Sequence, residues 1–126
     1  MRFHDFHLEG YEVSDFGETI TLHLVFDYPS HAKEKSDIRF TGVTLYNFIH
    51  TQGTIITDIG ERSIADFVCE MGEQLTEWNR WYGLRGWKNS SSSYKAMLEL
   101  EGYKVWSITS AIEFYGFIVA KEVNNT

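Results

Sequence analysis

Along residues 19–28 hydrophobic and polar side chains alternate. Ile20, Leu22, Leu24, Phe26 and Tyr28 take one parity, and Thr19, Thr21, His23 and Asp27 the other. A period of two, rich in β-branched residues, predicts a half-buried antiparallel strand, which Pro29 ends. Residues 3–13 predict a first strand with mixed alternation, joined to it by the turn-forming run Ser14-Asp15-Phe16-Gly17-Glu18. Residues 30–36 form a polar loop. Residues 37–50 alternate at Ile38 and Phe40, then shift parity to Val43 and Leu45 and again to Tyr46 and Phe48. Gly42 stands at the first shift and predicts a bulge or kink. Thr51-Gln52-Gly53 reads as a turn into a short β-branched strand over residues 54–59, which predicts a hairpin with the segment before it.

Over residues 60–81 the period changes. Ile64, Phe67, Val68, Met71, Leu75, Trp78 and Trp81 recur at three and four, the spacing of one helical face. Ser63 suits the N-cap, with Asp66 three residues on in a capping-box-like place. Gly72 is expected to weaken or split this helix, and Gly83 and Gly86 suit its exit. Residues 89–93 read as a polar serine loop. In residues 94–100, Tyr94, Ala96, Leu98 and Leu100 share one parity, which predicts a strand. A short helix is the alternative, because Ala, Met, Leu, Glu and Lys are good helix formers. Glu101-Gly102 then makes a turn, and residues 103–110 and 112–123 predict the last two strands. Gly116 predicts a bend or bulge in the second, and Asn124-Asn125-Thr126 a frayed end. The similar stretches Leu8-Glu9-Gly10-Tyr11 and Leu100-Glu101-Gly102-Tyr103 both look like a strand passing a glycine, with no wider repeat around them.

Strands, one main amphipathic helix and strands again predict a single α+β domain over residues 1–126. Its sheet is mostly antiparallel, of about six to seven strands, with the helix packed on it. Two packed sheets or a partly closed barrel fit the same pattern. A chain of 126 residues is long enough to bury a real core. The 16% aromatic content argues against disorder.

With 11 Lys and Arg against 18 Asp and Glu, the formal charge is −7. Such a balance disfavours general nucleic-acid binding, which needs clustered cations at phosphates. Residues 40–57 carry no charged side chain, but Thr41, Thr44, Asn47, His50, Thr51, Gln52 and Gly53 interrupt them as a membrane span. After Met1-Arg2, the residues His4, Asp5, His7 and Glu9 stand where a signal peptide needs an apolar run. The single Cys69 excludes an internal disulfide and a cysteine-based zinc cluster. These features predict a cytoplasmic protein.

Three groups of side chains are candidates for function. Asp66, Glu70, Glu73 and Glu77 fall at spacings of four, three and four, an acidic stripe opposite the apolar face of the predicted helix. It is either a solvated face or a docking surface for a basic partner. Residues 78–87 hold Trp78, Trp81, Trp87, Tyr82, Arg80 and Arg85, the residue types that dominate interface hot spots. The plainer reading buries Trp78 and Trp81 at the end of the helical face and lays Trp87 over the core edge. His4 and His7, with Asp58 and Glu61 at a strand-to-helix junction, could serve acid–base chemistry in a cleft. His4, Asp5 and His7 are also the densest cluster of metal-capable side chains, but on a strand His4 and His7 face opposite sides and do not share a metal unless the backbone bulges there. Residues 90–93 lack the elbow of a serine nucleophile, Cys69 reads as a buried inert thiol, and there is no glycine-rich phosphate loop.

Ile38-Arg39-Phe40-Thr41-Gly42-Val43, then Tyr46, Asn47 and Phe48, then Ile55-Ile56-Thr57-Asp58-Ile59, together with Ser110, Gly116, Ile118 and Ala120, resemble small bacterial β-rich cytosolic proteins. Some of these are uncharacterised and others serve as immunity proteins that neutralise an antibacterial toxin. The resemblance implies an acidic binding module without catalytic residues, and matches no toxin-contact residue. The sequence thus predicts a non-enzymatic binding protein without cofactor or metal, an immunity-type inhibitor of a basic toxin being the specific form. Glu70, Glu73, Glu77, Trp81, Arg85 and Trp87 are its expected contacts. The alternative is a small hydrolase or ligand-binding domain using His4, His7, Asp58 and Glu61, and a third reading is a homo-oligomer joined through the aromatic surface.

Overall fold

The computed structural model describes residues 5–49, 55–110 and 115–125. In chain order these form β1 (Phe6–Ser14), β2 (Thr19–Phe26), β3 (Glu34–Thr41), β4 (Leu45–Ile49), β5 (Ile55–Arg62), α1 (Ile64–Tyr82), α2 (Ser91–Leu100), β6 (Lys104–Ser110), β7 (Tyr115–Ala120) and β8 (Glu122–Asn125). The strands run antiparallel in the order β4-β7-β6-β5-β1-β2-β3-β8. The α+β class expected from the sequence holds. The counts change, to eight strands and two α-helices among the described residues.

The sheet folds into two halves that face each other. One is β1, β2, β3 and β8; the other is β5, β6, β7 and β4. Among the described residues they pair at one side through Phe6 opposite Ile56 and His7 opposite Ile55. Even-numbered positions of β2 and β3 (Ile20, Leu22, Leu24, Ile38 and Phe40) meet Ile59, Trp106, Ile108, Ile118 and Ala120 in one core. Odd-numbered Val105, Phe117 and Val119 turn the other way, into a second core with Phe67, Val68 and Leu75 of α1 and Tyr94 and Leu98 of α2. β6 and β7 are thus covered on both faces. This explains why the expected hairpin between residues 37–50 and 54–59 does not form. β4 pairs with β7 and β5 with β6, an arrangement that keeps the apolar run from Phe117 to Ala120 away from a sheet edge.

The opposite side of the fold is closed by a bent ribbon. The parity shift at Gly42 is a corner at which the chain leaves β3 in one half and enters β4 in the other. Gly42 adopts φ +65 there, and a Cβ at this position would stand 3.0 Å from Cβ of Lys121. Lys121 is the matching corner between β7 and β8, and its N–H donates to Thr41 O at 3.0 Å. Gly116, expected to bend the last strand, lies in unbroken register between Ile108 and Phe48. The break falls five residues later because only there does the chain change halves. Asn124 and Asn125 are not frayed: β8 pairs with β3 and Ser36 Oγ donates to Asn125 Oδ1 at 2.9 Å. Thr126 lies outside the described residues, as do His4 and the expected turn at residues 51–53.

α1 forms as its periodicity predicts. Ser63 Oγ accepts from the Asp66 N–H at 3.3 Å, supplying one of the bonds that a helix N-terminus lacks. Gly72 does not split the helix. Residues 94–100 are helical, not extended, and residues 90–93 open that helix instead of forming a loop. Ser93 Oγ donates to Ser90 O at 2.6 Å and accepts from Lys88 N–H at 3.0 Å. Tyr94 and Leu98, four apart, are the buried pair, while Leu100 is 88% exposed. The strand-like alternation was therefore a property of the letters and not of burial. The two glycine stretches also differ in structure: Gly10 follows a bulge in β1, whereas Gly102 N–H donates to Glu99 O at the end of α2. Among the described residues, no helix is long and apolar enough to cross a membrane.

Candidate functional site

α1 buries Phe67, Val68 and Leu75 against β6 and β7, and this fixes the opposite face outward. Asp66, Glu70, Glu73 and Glu77 are all exposed on it. Their local partners differ. Glu70 is bound by Arg62 at the end of β5. Glu77 accepts from Trp81 Nε1 at 2.6 Å and lies 3.6 Å from Arg80 Nη1. Glu73 makes no ion pair among the described residues.

At the C-terminal end of the stripe the aromatic residues divide. Trp78 packs inward, its ring 6.1 Å from that of Phe117. Trp81 and Tyr82 are 69% and 82% exposed, so the reading that buries Trp81 is corrected: its indole lies on the acidic face, four residues from Glu77, to which it donates. The bond from Trp81 Nε1 to Glu77 holds the indole along the acidic face. Trp87 is partly buried beside Tyr94, with ring centroids 6.2 Å apart. Arg85 donates to Glu101 at 2.7 Å and to the Tyr103 hydroxyl at 3.1 Å. Its pKa is raised by the hydrogen bond to Glu101 and by the charges of Tyr103 and Glu101. Arg85 therefore clamps the loop after α1 to the end of α2. Of the six contacts expected from the sequence, Glu70, Glu73, Glu77 and Trp81 share one face, while Arg85 and Trp87 are tied to α2.

Among the described residues, His7, Asp58 and Glu61 are not brought together into one group; His4 lies outside the described residues. His7 stacks on Tyr28 at 5.7 Å. Asp58 and Glu61 lie within β5 and not at a junction, because the strand continues to Arg62. Glu61 lies 3.8 Å from Lys104. No three His, Cys, Asp or Glu side chains among the described residues are grouped to hold a metal ion. Cys69 is exposed, not buried, since it sits one residue outside the apolar face. A polar group that sequence reasoning missed lies on the outer face of the first half-sheet. There His23 Nδ1 is 2.9 Å from Asp37 and Nε2 is 3.9 Å from Glu12. The register of three strands assembles it, and no local pattern announces it.

Two clefts flank the start of β4. One, of about 320 Å³, lies between residues 44–47 and the end of α1 at Trp78, Tyr82 and Leu84. The other, of about 340 Å³, lies between residues 43–46 and the β1–β2 turn at Phe16, Gly17 and Glu18. Phe16 adopts a left-handed φ of +57 and is fully exposed, an uncommon place for a large apolar side chain. The chain matches no known protein-family model, and no curated protein matches it.

Proposed function

We infer that this is a non-enzymatic protein-binding module that takes a basic partner on the outer face of α1. The carrying observation is the pairing of exposed Trp81 with Glu77 at the end of an exposed carboxylate row. An aromatic anchor held in place before binding loses little freedom on contact, and a row of acids steers a cation-rich surface toward it. The net charge of −7 acts in the same direction. The resemblance to immunity-type proteins gives this reading its specific form: a cytoplasmic inhibitor of a basic toxin.

Glu73 is the clean probe, because Glu70 and Glu77 have local partners. Immobilised protein is used to capture its ligand from native lysate at low and high salt, and the retained protein is then tested against Glu73→Lys and Trp81→Ala. A basic protein released by salt, with association slowed several-fold by Glu73→Lys, is expected. Capture that neither salt nor charge reversal changes would sink this reading.

A further inference from the structure

The register of β4 sets which of its side chains enter the cleft beside α1. Leu45 and Asn47 stand opposite Val119 and Phe117, which belong to the core under α1. Paired residues share a face of the sheet, so Leu45 and Asn47 turn toward the helix. From the helix, Trp78 and Tyr82 line the same cleft, four residues apart on one side of α1. Leu45 and Leu84 complete its apolar surface. Both rims are held in place. Thr44 N–H donates to Val119 O at 2.9 Å, and Leu84 N–H donates to Asn79 Oδ1 at 2.9 Å.

Polar groups converge between these walls. The Asn47 amide, the Thr44 hydroxyl and the Trp78 indole N–H belong to partly buried residues. None of these side-chain groups is hydrogen-bonded among the described residues. Apolar walls with a few convergent polar groups are the build of a small-molecule site, and a volume of about 320 Å³ suits one.

Charge narrows the ligand. Among the described residues, no ionised side chain lines this cleft. A phosphate or carboxylate would meet no counter-charge there, in the field of a chain of −7. A cation would meet no carboxylate. We propose that the cleft binds an uncharged sugar ring, laid against Tyr82 and Trp78 and held by Asn47 and Thr44. Such a ring has an apolar C–H face, which suits an aromatic surface, and a rim of hydroxyls that both donate and accept. The Asn47 amide supplies donors and an acceptor, the Thr44 hydroxyl supplies one O–H and two lone pairs, and the Trp78 indole supplies a donor. Glu73 and Trp81 do not line the cleft, so this site is separate from the acidic face of α1. The cleft is open and covers one face of the ring, so binding is weak, with a Kd of about 1 mM.

Titration of the isotope-labelled full chain with glucose, galactose, mannose and N-acetylglucosamine, followed by NMR, tests this. With at least one of these sugars the Trp78 indole N–H and the Asn47 side-chain amide signals are expected to shift and saturate, while the buried Trp106 indole signal stays in place. Tyr82→Ala removes an exposed ring and leaves both cores whole. It is expected to weaken binding about fivefold, and Asn47→Ala to weaken it by a similar factor. Phe16→Ala, on the wall of the other cleft, leaves binding unchanged. Four results would each overturn the proposal. These are no saturable shift with any of the sugars at about 50 mM, tighter binding of adenosine or choline at the same signals, undiminished binding by Tyr82→Ala and Asn47→Ala, and loss of binding in Phe16→Ala.

Discussion

The ring of Phe40 meets the indole of Trp106 edge-on, with 5.4 Å between centroids, and this contact joins the two halves of the folded sheet. Both side chains are buried. Edge-to-face pairs contribute beyond the area they bury. Trp106→Ala is expected to lower unfolding free energy by about 3–5 kcal/mol, the range for large aromatic truncations in a core. Trp106→Phe keeps a ring against Phe40 and loses less. Urea unfolding followed by circular dichroism measures both.

Gly86 supports the loop that Arg85 clamps. It adopts φ +86, and a Cβ there would stand 2.6 Å from Cγ of Met97. Gly86→Ala therefore adds backbone strain to a clash and is expected to cost about 1–3 kcal/mol. Adding Met97→Ala relieves the clash but not the dihedral strain. The double variant should show less than the summed loss of the two single variants in thermal unfolding.

Tyr94 is 1% exposed and its hydroxyl has no hydrogen-bond partner among the described residues. A buried polar atom without a partner costs free energy, so Tyr94→Phe is expected to stabilise the protein by about 1 kcal/mol. Burial, with a smaller contribution from Tyr103, also pushes the Tyr94 phenol up. The folded state holds this proton more tightly than the unfolded chain does. Its stabilising effect is complete below the usual phenol value of about 10 and is lost as pH rises above it. Alkaline denaturation should begin in that window, and Tyr94→Phe should shift it upward. An unchanged pH profile of unfolding would contradict this account.

Where the sequence was legible, a local pattern coincided with a single buried face. β2 alternates because one of its faces meets the other half-sheet, and α1 is periodic because one of its faces meets β6 and β7. Ser63 marked the start of α1 through its own side-chain bond. α2 was misread because a run of seven residues supports both periods. The deciding facts, a Ser93 bond at the helix start and an exposed Leu100, depend on packing. The corner at Gly42 was visible as a parity shift, but its partner corner at Lys121 was not, since their contact spans most of the chain.

The candidate surface divides in the same way. The acidic stripe follows from helix geometry alone. Exposure of Phe16, Tyr46 and Tyr82 does not, because an aromatic side chain in a sequence reads as core until the fold shows what it lacks. Arg85 and Trp87 resembled interface residues for the same reason: their partners, Glu101, Tyr103 and Tyr94, lie on segments that follow later in the chain.

The pairing of β8 with β3 sets a timetable for synthesis on the ribosome. β1, β2 and β3 are near neighbours in sequence and can assemble soon after they emerge. The outer edge of β3 then waits for Val123 to take its place opposite Phe40, more than eighty residues later. Until that moment a nascent chain carries an open strand edge with Ile38 and Phe40 beneath it. A chaperone that shields extended apolar segments would find its target there, and a chain stalled before Glu122 would be the form most prone to aggregate.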